Sequence, residues 1–390
     1  MADIKQLAVE KHREWQGKIE VIARCPVRDR ADLAVAYTPG VAQPCLEIAR
    51  DRALSFELTR RRNLVAVVTD GSAVLGLGNI GPEAAMPVME GKAVLLKEFG
   101  GVDAVPICLD TQDVDELVRT VELLAPSFGG INLEDISAPR CFEVENRLRE
   151  RLSIPVFHDD QHGTAIVVTA GLLNSLKLAG KRLETARIVI NGAGAAGSAI
   201  ARHLLSFGAT DITLCDKEGA VYDGAPYLTA AQQELALITN PRKITGKLAD
   251  AMVGADIFVG VSKPDMVTRE MVRSMADKAI VFAMANPNPE ILPDEAKAGG
   301  AYIVGTGRSD FPNQVNNVLC FPGIFKGALA AGATDITDGM KRAASYAIAG
   351  VLTDAELDTE HVLPDPFDKR VVEKVAAAVA DQAIAEGVVR

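Results

Sequence analysis

The segment Arg187–Asn191 is a short, mostly apolar run that leads directly into Gly192-Ala193-Gly194-Ala195-Ala196-Gly197. From Ala195 to Phe207 apolar residues then recur at helical spacing until Gly208 ends the stretch. A G-x-G-x-x-G pattern alone is a weak signal, but between a strand and a helix it is restrictive, because each glycine has a separate steric task. Gly192 allows the tight turn, Gly194 lets a pyrophosphate approach the backbone, and Gly197 lets the helix pack closely on the strand. Ala195 and Ala196 open the helix, where free N–H groups and the positive end of the dipole meet the phosphates. The pattern predicts a β-α-β unit that binds a dinucleotide.

The next strand, Asp211–Asp216, ends on an acid nineteen residues past Gly197. An acidic side chain at that point accepts hydrogen bonds from the adenosine ribose, which favours NAD. Lys217 follows and offers a charge for a 2′-phosphate, so NADP stays open. Candidate strands at Ile257–Val261, Ala279–Ala283 and Tyr302–Val304 extend the unit into a doubly wound parallel sheet of the Rossmann type, with helices Met340–Leu352 and Asp368–Glu386 outside it. Upstream, Leu64–Val68 and Ala104–Cys108 read as buried strands around a helix, Pro82–Phe99. The fold class is α/β: a mixed α/β N-terminal domain over residues 1–160, then the dinucleotide-binding domain with its C-terminal helices over 161–390. A length of 390 residues exceeds what one core usually organises, and the cleft between two domains is the expected place for a site.

A formal net charge of −11, with no basic stretch interleaved with aromatics, argues against a nucleic-acid partner. Arg60-Arg61-Arg62 reads as a solvated helix end. The six cysteines (25, 45, 108, 141, 215 and 320) are scattered without C-x-x-C spacing and are expected to be reduced thiols. The N-terminal twenty residues mix charge with apolar groups, unlike a signal peptide, and the longest apolar stretch, 165–173, is about half the ~20 residues that a membrane span needs. No membrane association and a cytoplasmic location are expected.

Two acidic pairs precede the glycine motif, Glu134-Asp135 in INLEDISAP and Asp159-Asp160 in IPVFHDDQHGTA. Most adjacent acids are solvated turns or caps, but each of these follows a short apolar segment, as residues at strand ends facing a cleft do. Three converging carboxylates would form an oxygen-rich site suited to Mg²⁺ or Mn²⁺. His158 and His162 stand four apart, yet the H-E-x-x-H glutamate is absent and Gly163 is expected to interrupt the following helix, so both histidines are read as structural or supporting residues rather than zinc ligands.

The ordered segments AYTPGVAQPC, VTDGSAVLGLGNIGPEAAMPVMEGKAVLLKEFGGVDA, INLEDISAP, FHDDQHGTA, NGAGAAG, ANPNPE and QVNNVLCFPG resemble the signatures of malic enzymes of the compact bacterial type, over roughly Trp15 to Gly350. The resemblance implies a metal-dependent oxidative decarboxylation of malate to pyruvate with reduction of NAD(P), some decarboxylation of oxaloacetate, and a homodimer or higher homo-oligomer. It implies Glu134, Asp135 and Asp160 as metal ligands, Lys92 as general base with Asp159 as its partner, and Tyr37 as proton donor. Asn286 and Asn317 would hold substrate carboxylate and cofactor carboxamide groups. Larger relatives carry an arginine where this chain has Ala73, so Ser72, amides of the 71–81 loop, the asparagines and the metal, or an arginine from elsewhere, must hold the carboxylates. No fused acyltransferase-like domain of the kind some relatives carry is expected. The alternatives are a metal-free 2-hydroxy-acid dehydrogenase, a dinucleotide sensor without chemistry, an enzyme acting mainly on added oxaloacetate, and a malolactic enzyme.

Overall fold

A computed structural model describes residues 4–390. The first sheet contains β1 (Leu64–Thr69), β2 (Asp103–Cys108), β3 (Gly130–Leu133) and β4 (Val156–His158), in the order β2-β1-β3-β4 and parallel throughout. Parallel strands need long crossovers. Here the helices Pro82–Gly100, Val114–Leu124 and Arg140–Arg151 provide them. Both faces of the sheet are covered, which is why β1 is a continuous apolar run rather than an alternating one. Val65, Val67 and Phe157 face Met89, Leu96 and Phe325, while Ala66, Val68, Ile131 and Leu133 face Leu117, Val144 and Leu148.

The second sheet contains β5 (Arg187–Asn191), β6 (Asp211–Asp216), β7 (Gly219–Ala220), β8 (Ile257–Gly260), β9 (Ile280–Ala283) and β10 (Ile303–Thr306), in the order β10-β9-β8-β5-β6-β7. The strands expected from sequence are present and parallel. One departure is β7, a short antiparallel edge strand reached through Gly219 at φ +128°. The two sheets share one apolar core through the helix Thr164–Ala179. The C-terminal helices reach further than the second sheet. Phe321–Ala331 lies on Pro82–Gly100, and Lys369–Ala385 packs on both. Phe325 meets Phe157 of β4 edge-on, with ring centroids 6.0 Å apart.

Each sheet has a point where the strand order reverses, between β1 and β3 in one and between β5 and β8 in the other. Ligands of open parallel sheets bind beyond the carboxyl ends of the strands at such points. Asp70, Glu134 and Asp159 leave β1, β3 and β4 there, and Gly192 leaves β5. In contrast, the helices Ile4–Trp15, Arg30–Ala36, Ala42–Arg50 and Ser55–Leu58 bury no residue.

Candidate metal and dinucleotide site

The end of β3 runs into Glu134 and Asp135, both 4% exposed. Asp135 has φ +54°, a left-handed conformation that costs a non-glycine residue about 1–3 kcal/mol and persists where the surroundings impose it. Its backbone N–H donates to Asp160 Oδ2 at 2.8 Å, which ties the strand end to the turn after β4. One oxygen from each of Glu134, Asp135 and Asp160 lies within 4.8 Å of the others, close enough to share one ion.

Lys92, on the Pro82–Gly100 helix, closes this cluster. Its Nζ donates to Asp159 Oδ2 at 2.7 Å, lies 3.0 Å from Glu134 Oε1, and sits 4.2 Å from the centroid of the Phe321 ring. Burial disfavours the ammonium, but the charges of Asp159 and Glu134 outweigh it and raise the Lys92 pKa above the ordinary lysine value. Asn132 Nδ2 donates to Glu134 Oε2 at 2.9 Å, and Asn317 Nδ2 donates to Asp159 Oδ2 at 3.1 Å while Thr164 Oγ1 donates to Asn317 Oδ1 at 3.1 Å.

The chemistry of this donor set fits a hard dication. Four carboxylates (134, 135, 159, 160) face one ammonium, a surplus of negative charge that burial makes expensive. Burial first, then the neighbouring carboxylates, pushes Glu134 well up and Asp135 up to about 7. Asp135 Oδ2 and Asp159 Oδ1 are buried oxygens without a hydrogen-bond partner. Orphaned acceptors among like charges suit an ion with oxygen ligands.

Asp159 and Asp160 do not end the strand in a simple loop. Residues Asp159–Gly163 form a π-helical turn that continues without a break into the Thr164–Ala179 helix. This corrects the expectation that Gly163 interrupts that helix: it is helical, at φ −60°. Glycine is needed because a Cβ there would lie 2.0 Å from Asp159 Oδ1. His158 is fully buried with neither ring nitrogen hydrogen-bonded, its Nδ1 3.8 Å from Asp160 Oδ2, and His162 Nε2 lies 2.7 Å from Glu145 Oε1. Glu145 also accepts from Gln161 Nε2 at 3.1 Å. The turn bearing Asp159 and Asp160 is thus held from behind by a buried acid.

The 71–81 loop lies against the same strand ends. Ala73 N–H donates to the Asp135 carbonyl at 2.9 Å, and Ser72 Oγ donates to Asp70 Oδ1 at 2.5 Å and accepts from Ser137 N–H at 2.9 Å. Although Ala73 carries no charge, a guanidinium is nearby: Arg140 Nη2 donates to Asp70 Oδ2 at 2.7 Å and to Ser72 Oγ at 3.0 Å. Asn286 is exposed on the loop after β9, and a Cβ on Gly76 would lie 2.6 Å from its carbonyl oxygen, so the two loops touch. Glu290 braces that region, accepting from Ser262 N–H at 2.9 Å and Ala285 N–H at 3.0 Å.

In the glycine turn each position behaves as its steric task requires. A Cβ on Gly192 would meet the Val261 carbonyl at 2.7 Å, and one on Gly197 the Gly192 carbonyl at 1.7 Å. A Cβ on Gly194 would meet nothing within 4 Å, leaving open space for a phosphate beside Ala195 and Ala196. Asp216 is half-buried at the tip of β6; its carboxylate accepts from Gln232 Nε2 at 3.0 Å and Glu218 N–H at 2.8 Å, and Lys217 beside it is exposed. The helix that opens at Ala195 packs directly on the Asp159–Gly163 turn, so the phosphate cradle and the carboxylates adjoin.

Of the residues singled out from sequence, Lys92, Glu134, Asp135, Asp159, Asp160 and Asn317 come together, Ser72 lies beside Asp135, and the glycine turn abuts them. Tyr37 does not join them. It is 67% exposed and its hydroxyl makes no hydrogen bond among the described residues. Sequence reasoning missed Asn132, Arg140, Glu145 and Glu290.

Two family models match, "Malic enzyme, N-terminal domain" over residues 16–149 and "Malic enzyme, NAD binding domain" over 161–384. A bifunctional malic/malolactic enzyme of Bacillus subtilis is 56% identical over 388 residues, covering 99% of this chain and 95% of that protein. An NAD-dependent malic enzyme of Geobacillus stearothermophilus is 55% identical, covering 96% of this chain and 78% of that protein. The crystal structure of an NAD-dependent malic enzyme from Thermotoga maritima superposes with a TM-score of 0.93 at 48% identity, over 96% of this chain and 98% of the other.

Proposed function

The chain belongs to the malic enzyme family, and on that premise we propose that it oxidises and decarboxylates malate to pyruvate while reducing a nicotinamide dinucleotide. The observation that carries this is the meeting of Glu134, Asp135 and Asp160 beside Lys92, against the helix that opens at the glycine turn. Glu134, Asp135 and Asp160 would hold a dication such as Mg²⁺ or Mn²⁺, which would supply charge stabilisation at the C2 oxygen and offset the charges around Lys92, and a dinucleotide at the glycine turn would supply the hydride acceptor.

Lys92 receives the C2 hydroxyl proton, held in place by Asp159 and by the face of Phe321. Tyr37 returns a proton to C3 after carbon dioxide leaves. We assign the substrate carboxylates to Ser72, Asn286 and Asn317, with Asn317 releasing one of its bonds to Asp159 to do so. Arg140, bonded to Ser72, supplies the positive charge absent at Ala73. Gly192, Gly194, Ala195, Ala196 and Gly197 cradle the pyrophosphate. Asp216 would receive the ribose hydroxyls and repel a 2′-phosphate, so NAD is the preferred cofactor. We divide the chain functionally at residue 160, place it as a homodimer, and assign it to the cytoplasm, in keeping with six free thiols; among the described residues no helix is long and apolar enough to cross a membrane.

Initial rates with malate and each dinucleotide, in Mn²⁺, Mg²⁺ or chelator, test this. Metal-dependent formation of NADH and pyruvate is expected. Full activity in chelator would replace the assignment with a metal-free dehydrogenase, and lactate as the sole product would make it malolactic.

A further inference from the structure

A concentration of positive charge stands at the opposite end of the first sheet from the carboxylates. There, where β1 begins, a cavity of about 500 Å³ is lined by Arg24, Arg60, Arg62 and Lys326, with no acid among its lining residues. In a chain of formal net charge −11 this runs against the average, and the volume is that of a small-molecule site.

The run Arg60-Arg61-Arg62 is only in part the solvated helix end expected from sequence. Arg61 turns inward, donating from Nε to the Phe128 carbonyl at 3.0 Å and from Nη1 to Ser55 Oγ at 2.9 Å, with its guanidinium 4.0 Å from the centroid of the Phe56 ring. Arg60 and Arg62 line the cavity instead. Arg60 pairs with Asp103, an acid that also takes Lys97 at 2.7 Å, and Lys326 pairs with Glu373 at 2.5 Å where solvent reaches both side chains. Arg24 and Arg62 have no hydrogen bond or ion pair among the described residues. Burial, and then the charge of Arg24, pulls the Arg60 pKa below the ordinary arginine value.

The helix terminus at the cavity does not account for these cations. Basic side chains gather at helix C-termini to meet free carbonyls, and the Pro82–Gly100 helix ends here. Yet its end is capped by the chain itself: Gly101 N–H donates to the Lys97 carbonyl at 2.9 Å, Val102 N–H to the Leu96 carbonyl at 3.1 Å, and Asn63 Nδ2 to the Gly101 carbonyl at 2.9 Å. Neighbouring guanidinium groups without partners suit an anion whose charge is concentrated at one point. A phosphate ester carries about −1.5 to −2 at pH 7 with three strong acceptor oxygens, whereas a carboxylate brings a single charge. The cavity is larger than a bare phosphate needs, and Leu329 and Ala330 give it an apolar wall for an organic body. A nucleic-acid chain would meet repulsion from the acidic remainder of the surface.

The two helices that seat Lys92 also border this cavity. Gly100 ends the helix that carries Lys92, and a Cβ on it would lie 2.9 Å from the Pro322 carbonyl. Lys326, Leu329 and Ala330 belong to the Phe321–Ala331 helix, whose first ring stands 4.2 Å from Lys92 Nζ.

We propose that this cavity binds a small phosphorylated molecule, apart from malate and the dinucleotide, and that its occupancy alters turnover through the two helices that seat Lys92. The effect on turnover rests on the reading of Lys92 as the base; the binding does not.

Calorimetry with inorganic pyrophosphate tests the site, in chelator and with NADH saturating so that the glycine turn is already filled. Pyrophosphate is expected to bind the wild type, and about tenfold more weakly in the Arg24→Gln/Arg62→Gln double variant, whose two positions are exposed. No binding, or equal affinity in the two proteins, would overturn the proposal, and tighter binding of succinate would make the cavity a dicarboxylate site instead. Ribose 5-phosphate is expected to bind more tightly than inorganic phosphate; the reverse order would assign the cavity to the free ion and overturn the organic ligand. In malate assays with excess Mg²⁺, ribose 5-phosphate is expected to change kcat at least twofold in the wild type and not in the double variant, which without it turns over like the wild type. An unchanged kcat at saturating ribose 5-phosphate would refute the link to Lys92. A wild type that binds pyrophosphate but shows no malate-dependent activity would remove the functional assignment and uphold the site.

Discussion

Glu145→Gln is expected to damage the metal site from behind. Glu145 is 4% exposed on the Arg140–Arg151 helix, and its two oxygens take Gln161 Nε2 and His162 Nε2, the residues that follow Asp160 in the π-helical turn. Lys341, also 4% exposed, places Nζ 3.5 Å from the same His162 nitrogen. Burial pushes the Glu145 carboxyl up, but the His162 ring and the Lys341 ammonium more than reverse this and hold it at about 2. A folded pKa below the ordinary 4.5 stabilises the fold at pH values above 4.5, and the contribution is lost as pH falls toward 2. At about 1.4 kcal/mol per pH unit, the gap between 4.5 and about 2 is about 3 kcal/mol. For a chain of 390 residues, 3 kcal/mol lowers a cooperative melting midpoint by about 4 °C. The glutamine also sets an amide donor against donors already on Gln161 or His162, loosening the turn that carries Asp159 and Asp160, and loss of such supporting contacts weakens metal binding about 10–100-fold. Thermal melting at pH 7 and calorimetric Mn²⁺ titration measure both effects. A variant that melts with the wild type and binds Mn²⁺ within twofold of it would refute the argument.

Lys92→Ala is expected to abolish malate oxidation while NADH still binds, because the side chain touches the carboxylates and not the glycine turn; near-wild-type turnover would reject its role as base. In Gly197→Val the new Cβ would stand 1.7 Å from the Gly192 carbonyl, so NADH affinity measured by fluorescence should fall at least tenfold with Mn²⁺ binding retained, and an unchanged NADH affinity would count against the close helix–turn packing. His203 is held neutral, chiefly by burial and then by the Lys341 charge, at about 3 against an ordinary 6.5, so its share of stability is intact above pH 6.5 and lost on acidification. That loss amounts to about 3 kcal/mol between pH 6.5 and 4, and His203→Gln should flatten the corresponding fall in melting temperature; an equally steep fall would show that another group drives it.

What could be read in the sequence was local. The strand Arg187–Asn191, the three glycines and the helix after them are consecutive, and their steric roles follow from spacing alone. Glu134-Asp135 and Asp159-Asp160 could be placed at strand ends because short apolar runs precede them. The partners of those residues come from far along the chain and leave little trace. Asn317 meets Asp159 across 158 positions, and Arg140 meets Asp70 across 70. Glu145 did leave a signal: Cys141, Val144, Glu145 and Leu148 form the buried face of one helix, and an acid on an apolar face implies a buried partner. Gly163 was misread for a physical reason. Glycine weakens a helical pattern by about 1 kcal/mol relative to alanine, but here it leaves room for the Asp159 carboxylate, a tertiary demand that spacing does not encode.

The cluster is also a place where folding and chemistry oppose each other. Glu134, Asp135 and Asp159 all have pKa values driven upward by burial and then by neighbouring carboxylates, Asp160 among them, so ionising them in the fold works against stability, and Lys92 offsets part of that charge. A sequence selected for stability alone would replace them with apolar residues of similar size. What keeps four acids together is the surrounding structure: β3 and β4 fix their backbones, Asn132 and Asn317 bond their oxygens, and the Glu145–His162–Lys341 group holds the turn. The helix opening at Ala195 packs on that same turn, so a shift of Asp159 or Asp160 is expected to reach the glycine turn. The candidate metal ligands and the candidate dinucleotide turn therefore meet on one element, the Asp159–Gly163 turn and the helices packed on it.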